Sequence, residues 1–279
     1  MNKESLIEAL IDLAIEEDIE SGDISTDAII PVKSKATALM TAKADGVISG
    51  LEVIRKVYER FEDDFGWKEF VHDGDKVKKG DRILEIKAGY RTLLYGERLS
   101  LNILQRMSGI ATATAKYVAE LEGTGTVLLD TRKTAPGMRI LDKMAVKDGG
   151  GKNHRMGLYD MIMLKDNHIK IAGGIPAAVA AVRKNLPLSI KLEVETTTLE
   201  EVRQAIEAGA DIIMLDNMDT ATMAEAVKLI GGKAKTEASG NMSIPRLKEV
   251  AATGVDYISV GALTHSVTAL DISMNITQD

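Results

Sequence analysis

The second half of the chain repeats one pattern: a short apolar, β-rich run, then a charged or glycine-rich loop, then an amphipathic helix. This alternation is typical of a parallel sheet or barrel whose strands are joined by helices. Predicted helices at 200–208, 221–230 and 244–252 each have a Thr, Asp or Ser near the start that can cap them. The predicted strands are 126–129, 161–164, 189–194, 212–215, 235–238 and 257–260.

The first part of the chain lacks this pattern and predicts a small α+β domain. An amphipathic helix at 5–17 precedes four short strand-like runs, and a helix at 95–120 joins the two parts. Residues 72–84 contain Asp and Gly pairs that resemble the edge of a lipoyl-type sandwich, with Lys43 in the place of a carrier lysine. We favour a structural interpretation, because such pairs mark tight turns wherever strands reverse. The strand-like runs are 36–42, 46–49, 76–77 and 82–86.

Composition excludes several classes of protein. The 279 residues contain no cysteine, which excludes disulfides, cysteine–zinc sites and thiol nucleophiles. The net charge of −7 argues against a general nucleic-acid-binding protein, which needs a basic surface. No apolar run approaches the ~18 residues of a membrane span. We therefore expect a cytoplasmic enzyme with small-molecule partners and no membrane or nucleic-acid partner.

Positive charge is concentrated in one segment. Between Arg132 and Lys165 there are eight Lys or Arg against three Asp. Such a block could concentrate a small anion locally. For Arg139, Lys143 and Lys147, whose spacing is nearly helical, the favoured alternative is a solvated helix face.

The residues that follow the predicted strands carry chemistry. In α/β barrels the active site lies at the carboxyl ends of the strands. Glu193 and Glu195 alternate with Val194, so they point to the same face of their strand. The strand ends are Asp130-Thr131-Arg132-Lys133-Thr134, Lys165-Asp166-Asn167-His168, Glu193-Val194-Glu195, Asp216-Asn217, Ser239-Gly240-Asn241 and Gly261-Ala262-Leu263-Thr264-His265.

These strand ends point to phosphate, metal and anion binding. The last two contain small residues that let backbone N–H groups approach a phosphate, although each could be a simple turn. Glu195 and Asp216 could bind Mg²⁺, or could form an internal salt bridge with Lys165 or Lys191. Phosphoryl or phosphoribosyl chemistry fits the combination best.

Spaced motifs between about residue 18 and residue 274 resemble the quinolinate phosphoribosyltransferase family. The matching segments are Gly96-Glu97-Arg98 with Asn102, Ser108-Gly109, Asp130-Thr131-Arg132-Lys133-Thr134 with Pro136-Gly137, Gly149-Gly150-Gly151, Asn153-His154-Arg155, Lys165-Asp166-Asn167-His168, Glu193-Val194-Glu195, Met214-Leu215-Asp216-Asn217, Ser239-Gly240 and Ser259-Val260-Gly261-Ala262-Leu263-Thr264.

The resemblance implies both a fold and a reaction. The expected fold is an N-terminal α+β sandwich-like domain and an incomplete seven-stranded α/β barrel. We expect the first domain at 1–104 together with 268–279, and the barrel at 105–267. The implied reaction converts quinolinate and 5-phosphoribosyl-1-pyrophosphate, with Mg²⁺, into nicotinate mononucleotide, pyrophosphate and CO₂ in NAD biosynthesis.

The resemblance also implies roles for residues. The expected catalytic residues are Lys133, Lys165, Glu195 and Asp216, and the last two would bind the metal. The residues expected to hold the quinolinate dicarboxylate are Arg98, from the neighbouring subunit of a homodimer or larger oligomer, Arg132, His154, Arg155 and Lys165. Lys133 and Lys165 would also face the pyrophosphate, and Thr131 belongs to the same substrate-binding set. The residues expected around the 5-phosphate are Ser239, Gly240, Asn241, Gly261 and His265, and Val260 and Ala262 are also expected to bind substrate.

Three other interpretations stay open at the level of sequence. A paralogous phosphoribosyltransferase associated with molybdenum transport shares much of the pattern and would use another acceptor base. A Schiff-base aldolase could use Lys165 as its nucleophile. A phosphate-binding scaffold without catalysis is the third, and it would not need the paired carboxylates.

Overall fold

The computed structural model describes residues 3–184, 187 and 189–278, so the termini of the predicted first domain at 1, 2 and 279 lie outside it. No helix within those ranges is long and apolar enough to cross a membrane. The helices are α1 (Lys3–Asp18), α2 (Ile24–Ile29), α3 (Leu51–Tyr58), α4 (Tyr90–Glu120), α5 (Arg139–Asp148), α6 (Asp166–Ala172), α7 (Ile175–Arg183), α8 (Leu199–Glu207), α9 (Thr220–Ile230), α10 (Ile244–Ala251) and α11 (Ala262–His265). The strands are β1 (Lys35–Ala42), β2 (Gly46–Val47), β3 (Gly66–Glu69), β4 (Lys76–Val77), β5 (Arg82–Gly89), β6 (Val127–Leu129), β7 (Ile162–Leu164), β8 (Leu192–Thr196), β9 (Ile212–Asp216), β10 (Lys235–Ser239), β11 (Tyr257–Ser259) and β12 (Ile272–Gln278).

The chain forms two compact units. The first contains Met1–Ala115, Thr134–Gly150 and Leu263–Asp279, and the second contains Lys116–Lys133 and Gly151–Ala262. Residues 134–150 belong to the first unit, whereas the predicted domain bounds place them in the barrel. The predicted domain bounds stay a prediction.

The first unit contains a four-stranded antiparallel sheet in the order β12-β1-β5-β3. Alternate residues of β1 are buried, as expected for a strand with one face on a core. β12 pairs with β1 from Ala36–Gln278 to Ala42–Ile272. The turn interpretation of 72–84 is confirmed, because the Asp75 and Asp81 N–H groups donate to the carbonyls of His72 and Lys78, each at 3.0 Å. These turns flank β4 and lead into β5.

The second unit is built on a parallel sheet. Its order, β6-β11-β10-β9-β8-β7, includes every strand predicted after residue 124, so the α/β class is confirmed. Among the described residues this sheet has six strands where seven were expected. Lys152 adds a single parallel bridge to Leu129 beside β6.

Polar caps fix the starts of the helices that follow these strands. Thr198 accepts from the Glu201 N–H at 3.2 Å, and the Glu201 side chain bonds back, which forms a capping box. Asp219 accepts from the Thr222 N–H at 2.8 Å at the start of α9. Ser243 stands at the start of α10 without a side-chain cap bond. The predicted caps of α8 and α9 are confirmed, and these helices begin close to the cavity described below.

The solvated-face interpretation of α5 is wrong for its central turn. Lys143 is 1% exposed and the adjacent Asp142 is fully buried, whereas Lys147 is exposed. Arg106 Nε and Nη2 donate to the two carboxylate oxygens of Asp142, each at 2.9 Å. Near-helical spacing of charged residues therefore does not define a solvated face here. At this turn the buried Asp142 instead forms an ion pair with the partly exposed Arg106.

Asp142→Ala is expected to destabilise the protein by about 3 kcal/mol, because it leaves the Arg106 guanidinium without its bidentate partner. Urea unfolding monitored by circular dichroism measures the change. The double variant Arg106→Met/Asp142→Leu is the matched control and should cost less than the single change, because neither charge remains. A single variant within about 0.5 kcal/mol of wild type would contradict a stabilising role for the pair.

Candidate active site

The second unit contains a cavity of about 680 Å³ at the carboxyl ends of its parallel strands. This is the position where α/β barrels place their chemistry. The lining residues are Thr131, Arg132, Lys133, His154, Arg155, Met163, Lys165, Glu195, Met214, Asp216, Asn217, Glu237, Ser239, Gly240, Asn241 and Ser259.

Most of the predicted site residues line this cavity, and five do not. Arg98 is exposed on α4. Val260 is buried directly after β11, followed by the half-buried Gly261 and Ala262. His265 lines a separate cavity of about 320 Å³ in the first unit, together with Arg106 and other residues. The predicted residues that the cavity brings together are Thr131, Arg132, Lys133, His154, Arg155, Lys165, Glu195, Asp216, Ser239, Gly240 and Asn241.

The sequence prediction missed lining residues that lie within strands. Met163, Met214, Glu237 and Ser259 belong to β7, β9, β10 and β11, whereas the prediction concentrated on residues after strand ends. Alternation along a strand could have found Glu237, because it lies two positions before Ser239 and so shares its face. The floor of the cavity thus contains a buried carboxylate that strand-end reasoning does not detect.

Lys165 and Glu195 form an ion pair at the edge of the cavity. Leu164 of β7 is opposite Val194 of β8, which brings the two following residues together. The Lys165 Nζ lies 3.0 Å from the Glu195 Oε2, and about half of the Lys165 side chain is exposed. The salt-bridge interpretation of Glu195 is therefore confirmed for Lys165. Glu195 also lines the cavity, so this pair does not remove its carboxylate from the site.

The loops that follow β9 and β10 both begin with a residue in left-handed backbone conformation. The second of them, Ser239-Gly240-Asn241, is the Gly240 loop. Asp216 of β9 is opposite Ser239 of β10, and the next residues, Asn217 and Gly240, have φ of +54° and +92°. A Cβ at Gly240 would collide with the Asn217 side chain, so only glycine allows this approach. Arg246 of α10 donates to the Gly240 carbonyl at 3.2 Å and fixes the loop. The loop therefore has a compact backbone of the kind that can approach an anion.

Arg132 and Arg155 stand close enough to interact electrostatically in the cavity wall. Burial, together with the charge of Arg132, lowers the pKa of Arg155, while the Glu193 carboxylate acts in the opposite direction. The Arg155 Nη1 donates to the Met161 carbonyl at 3.1 Å. Two neighbouring guanidiniums are suited to a ligand with more than one carboxylate.

His154 reaches from the cavity wall into the barrel interior. Its Nε2 lies 3.1 Å from the Glu193 Oε2 and 3.3 Å from the Glu237 Oε2, and both carboxylates are buried. On the other side of the ring, Nδ1 lies 2.7 Å from the Arg155 N–H, which donates to it. The His154 N–H itself donates to Asp130 at 2.8 Å. The imidazole therefore links two buried glutamates to the backbone of Arg155.

The groups of the Glu193–His154–Glu237 cluster shift one another's pKa. Burial alone would lower the pKa of His154, but the two carboxylates outweigh burial and raise it to about 10. Burial and the charge of Glu237 raise the pKa of Glu193 to about 7. An imidazolium with two carboxylates has the same proton count as a neutral imidazole with one carboxylic acid. We favour the second arrangement, because an N–H at Nδ1 would face the Arg155 N–H.

The same three residues form the group of possible metal ligands that the described residues bring together, with ligand atoms within 4.8 Å of one another. The geometry disfavours a metal ion at His154, because an Nδ1 that accepts a hydrogen bond leaves the ring proton on Nε2. The predicted metal ligands Glu195 and Asp216 lie elsewhere, at the ends of adjacent strands in the cavity wall.

Family models cover nearly the whole chain. The quinolinate phosphoribosyl transferase N-terminal domain matches residues 23–108, and the C-terminal domain of the same family matches residues 110–275. The chain belongs to the quinolinate phosphoribosyl transferase family.

Relatives in this family match over most of their length. The chloroplastic nicotinate-nucleotide pyrophosphorylase (carboxylating) of Oryza sativa subsp. japonica is 45% identical, with 97% of this chain and 77% of the relative covered. The mitochondrial quinolinate phosphoribosyltransferase (decarboxylating) 2 of Nicotiana glauca is 43% identical, with 97% and 82% covered. The crystal structure of NadC from Streptococcus pyogenes is 41% identical and superposes with a TM-score of 0.94 over 98% of this chain and 96% of that one. The family resemblance and the expected fold class are confirmed.

A phosphate-binding role for the Gly240 loop, as the family resemblance implies, can be tested with inorganic phosphate. Gly240→Ala is expected to weaken phosphate affinity by about tenfold or more, because a Cβ displaces Asn217 and strains a backbone with positive φ. Isothermal titration calorimetry gives the dissociation constants of both proteins.

Gly254→Ala is the matched control. Gly254 has φ of +87°, and the nearest atom to its Cβ position, the Val227 Cγ1, is 3.6 Å away. It carries the same backbone strain without the collision. Equal loss of phosphate affinity in both variants would argue against the loop as the binding site.

Proposed function

We propose that the chain transfers the phosphoribosyl group of 5-phosphoribosyl-1-pyrophosphate to quinolinate with loss of CO₂, which gives nicotinate mononucleotide and pyrophosphate for NAD biosynthesis. The observation that carries the proposal is one cavity, in a chain of this family, that joins cationic side chains, two strand-end carboxylates and a small-residue loop. The name of the Nicotiana glauca relative supports the same reaction.

The proposed donor site follows the strand order. The Ser239-Gly240-Asn241 loop offers backbone N–H groups to the 5-phosphate, and Lys133 and Lys165 face the pyrophosphate. As pyrophosphate departs with its bonding electrons, positive charge develops on the ribose. Glu195 and Asp216 stabilise that charge electrostatically. The cations next to the leaving group stabilise the pyrophosphate that forms.

The proposed acceptor site is the arginine pair. Arg132 and Arg155 hold the carboxylates of quinolinate, so that the ring nitrogen attacks C1 of the ribose. The 2-carboxyl group then leaves as CO₂, and the electron pair left on C2 takes up a proton. The new pyridinium nitrogen and the fixed cations lower the energy of that electron pair. Nothing in this chemistry requires Lys165 to form a Schiff base.

The carboxylates in the cavity wall fit a magnesium ion, which prefers oxygen ligands. The Glu195 Oε2 faces Lys165, and the Asp216 Oδ2 accepts from the Asn217 Nδ2 at 2.8 Å. Within the described residues, the other oxygen of each carboxylate makes no hydrogen bond or ion pair. These two oxygens would hold Mg²⁺, which when bound neutralises charge on the pyrophosphate.

We extend the proposal to a homodimer or larger homo-oligomer in which Arg98 completes the site of a neighbouring subunit. Arg98 is exposed on α4 and does not line the cavity of the second unit. An exposed arginine is available to a carboxylate held by another chain.

The proposed compartment is the cytoplasm. The rice and Nicotiana relatives are named as chloroplastic and mitochondrial, so the compartment differs within the family.

Purified protein is expected to form nicotinate mononucleotide from the two substrates with Mg²⁺, and to stop when EDTA is added. Lys165→Ala should lower kcat at least about 100-fold, because it removes a cation from the pyrophosphate site. Chromatographic detection of the mononucleotide measures both effects. Lys170→Ala, an exposed residue of α6 outside the cavity, is the control and should leave kcat unchanged. No turnover by the wild type would refute the proposed function.

Mixing Arg98→Ala and Lys165→Ala subunits tests the shared site. Each variant alone should be nearly inactive, while random reassociation into dimers should restore about one quarter of wild-type activity. The reason is that half of the dimers are mixed and each mixed dimer has one intact site. Subunits are mixed in mild denaturant, and activity is measured after dialysis. Activity no higher than the sum of the parents would mean that Arg98 acts within its own chain or not at all.

A further inference from the structure

The buried carboxylates Glu193 and Glu237 have no role in the proposed chemistry. Both are fully buried, and among the described residues none of their four oxygens accepts a hydrogen bond of good geometry. A buried carboxylate without a partner is costly, and the group at ion-pair distance from both is the His154 Nε2.

The sheet places the two glutamates in one interior layer. Glu193 belongs to β8 and Glu237 to β10, with β9 between them, and side chains of alternate strands form such layers in barrels. Glu193 is opposite Ile212 and Glu237 is opposite Met214 on β9. These two partners are two positions apart on one strand, so both glutamates lie on the same face of the sheet. The strand scaffold therefore holds both carboxylates in place.

The segment that carries Arg155 needs such an anchor. It contains no helix or strand between Lys152, which bridges to β6, and Ile162, where β7 begins. The His154 N–H is tied to Asp130, and the imidazole stands between the glutamates and the Arg155 N–H. Each contact restricts the backbone from which the Arg155 guanidinium projects.

Repulsion between Arg155 and Arg132 is a second reason why Arg155 needs an anchor. Arg155 lies half-buried beside Arg132, and repulsion between two guanidiniums would move one of them toward solvent. Glu193 opposes that repulsion, because its charge stabilises the Arg155 cation. In either protonation arrangement the cluster with His154 keeps one net negative charge, which lies beneath the cations before any substrate arrives.

We infer that Glu193 and Glu237, acting through His154, are positioning residues that fix Arg155 for the dicarboxylate substrate. The inference rests on the proposed function for the identity of that substrate. It assigns His154 a contact with the buried glutamates in addition to its place in the lining of the cavity. Its consequence is that loss of the cluster should weaken quinolinate binding and leave binding of the phosphoribosyl donor nearly unchanged.

The experiment compares steady-state constants of Glu237→Gln, His154→Asn and the double variant. Each single change should raise the quinolinate KM by about tenfold, with less than about a twofold change in the KM for phosphoribosyl pyrophosphate. The double variant should match the singles, because both residues act along one path. The longer side chain of His154→Gln can place its amide N–H near the position of the imidazole Nε2, where it faces the glutamates, whereas Asn is too short. His154→Gln should therefore stay within about threefold of wild type.

Asp256→Asn is the matched control for general damage to the barrel. Asp256 precedes β11 and accepts from Lys235 and Thr236 at the opposite end of β10. It should lower the melting temperature without changing the quinolinate KM. The melting temperature and calorimetric binding of phosphoribosyl pyrophosphate show whether each cluster variant is folded.

Three kinetic results would overturn the inference: multiplicative effects in the double variant, an equal rise of both KM values, or an unchanged quinolinate KM in folded variants. Stoichiometric divalent metal in the purified wild type that is lost in Glu237→Gln would also overturn it, since the cluster would then be a metal site. If the wild type has no turnover, the proposed function fails separately. Calorimetric dissociation constants for quinolinate then test the cluster in the same variants.

Discussion

Parallel hydrogen bonding between neighbouring strands is the constraint on which the cavity depends. Each strand runs in the same direction, so the residue that follows it emerges at the same edge of the sheet. The pairing of Ser239 with Asp216 and of Leu164 with Val194 brings distant segments of the chain to within one side-chain length. A shift of one residue in either register would turn these side chains to the helix-covered face. Backbone pairing between the strands thus determines which side chains meet in the cavity.

Sequence reasoning predicted the strands and their ends because both depend on local patterns. Apolar runs bounded by polar loops located β6 to β11, and the first polar residues after them, such as Lys165 and Asp216, line the cavity. Residues inside strands were harder to assign. Glu237 lies in a mostly polar strand, Lys-Thr-Glu-Ala-Ser, whose composition does not show which polar side chains face the cavity. Ser259 ends a three-residue strand that is too short to show an alternation. The charge pattern of α5 misled for a related reason, since Lys143 is buried by packing that helical spacing does not encode.

The cavity wall is rich in positive side chains, although the protein as a whole is negatively charged. The chain carries a net charge of −7, yet the cavity wall contains several Arg and Lys side chains. Some of these cations have a carboxylate nearby: Lys165 pairs with Glu195, and Arg155 has Glu193 beneath it. Fixed anions hold the cations in place without neutralising the cavity fully. An incoming polyanion therefore meets positive groups that are already held in position, so little reorganisation is needed when it binds. This is the general basis of electrostatic preorganisation.

The pairing of β12 with β1 has a consequence for how the protein is made. β1 bonds to β5 on one side and to β12 on the other, and the two paired strands β1 and β12 are separated by roughly 230 residues of chain. During translation the whole parallel sheet is synthesised between them, which takes roughly 10 to 50 seconds at ribosomal speed. For that interval one edge of β1 has no strand beside it and could pair with another nascent chain. The first sheet is therefore completed only after the barrel strands have been synthesised, which lengthens the time during which this edge is open to pairing with another chain.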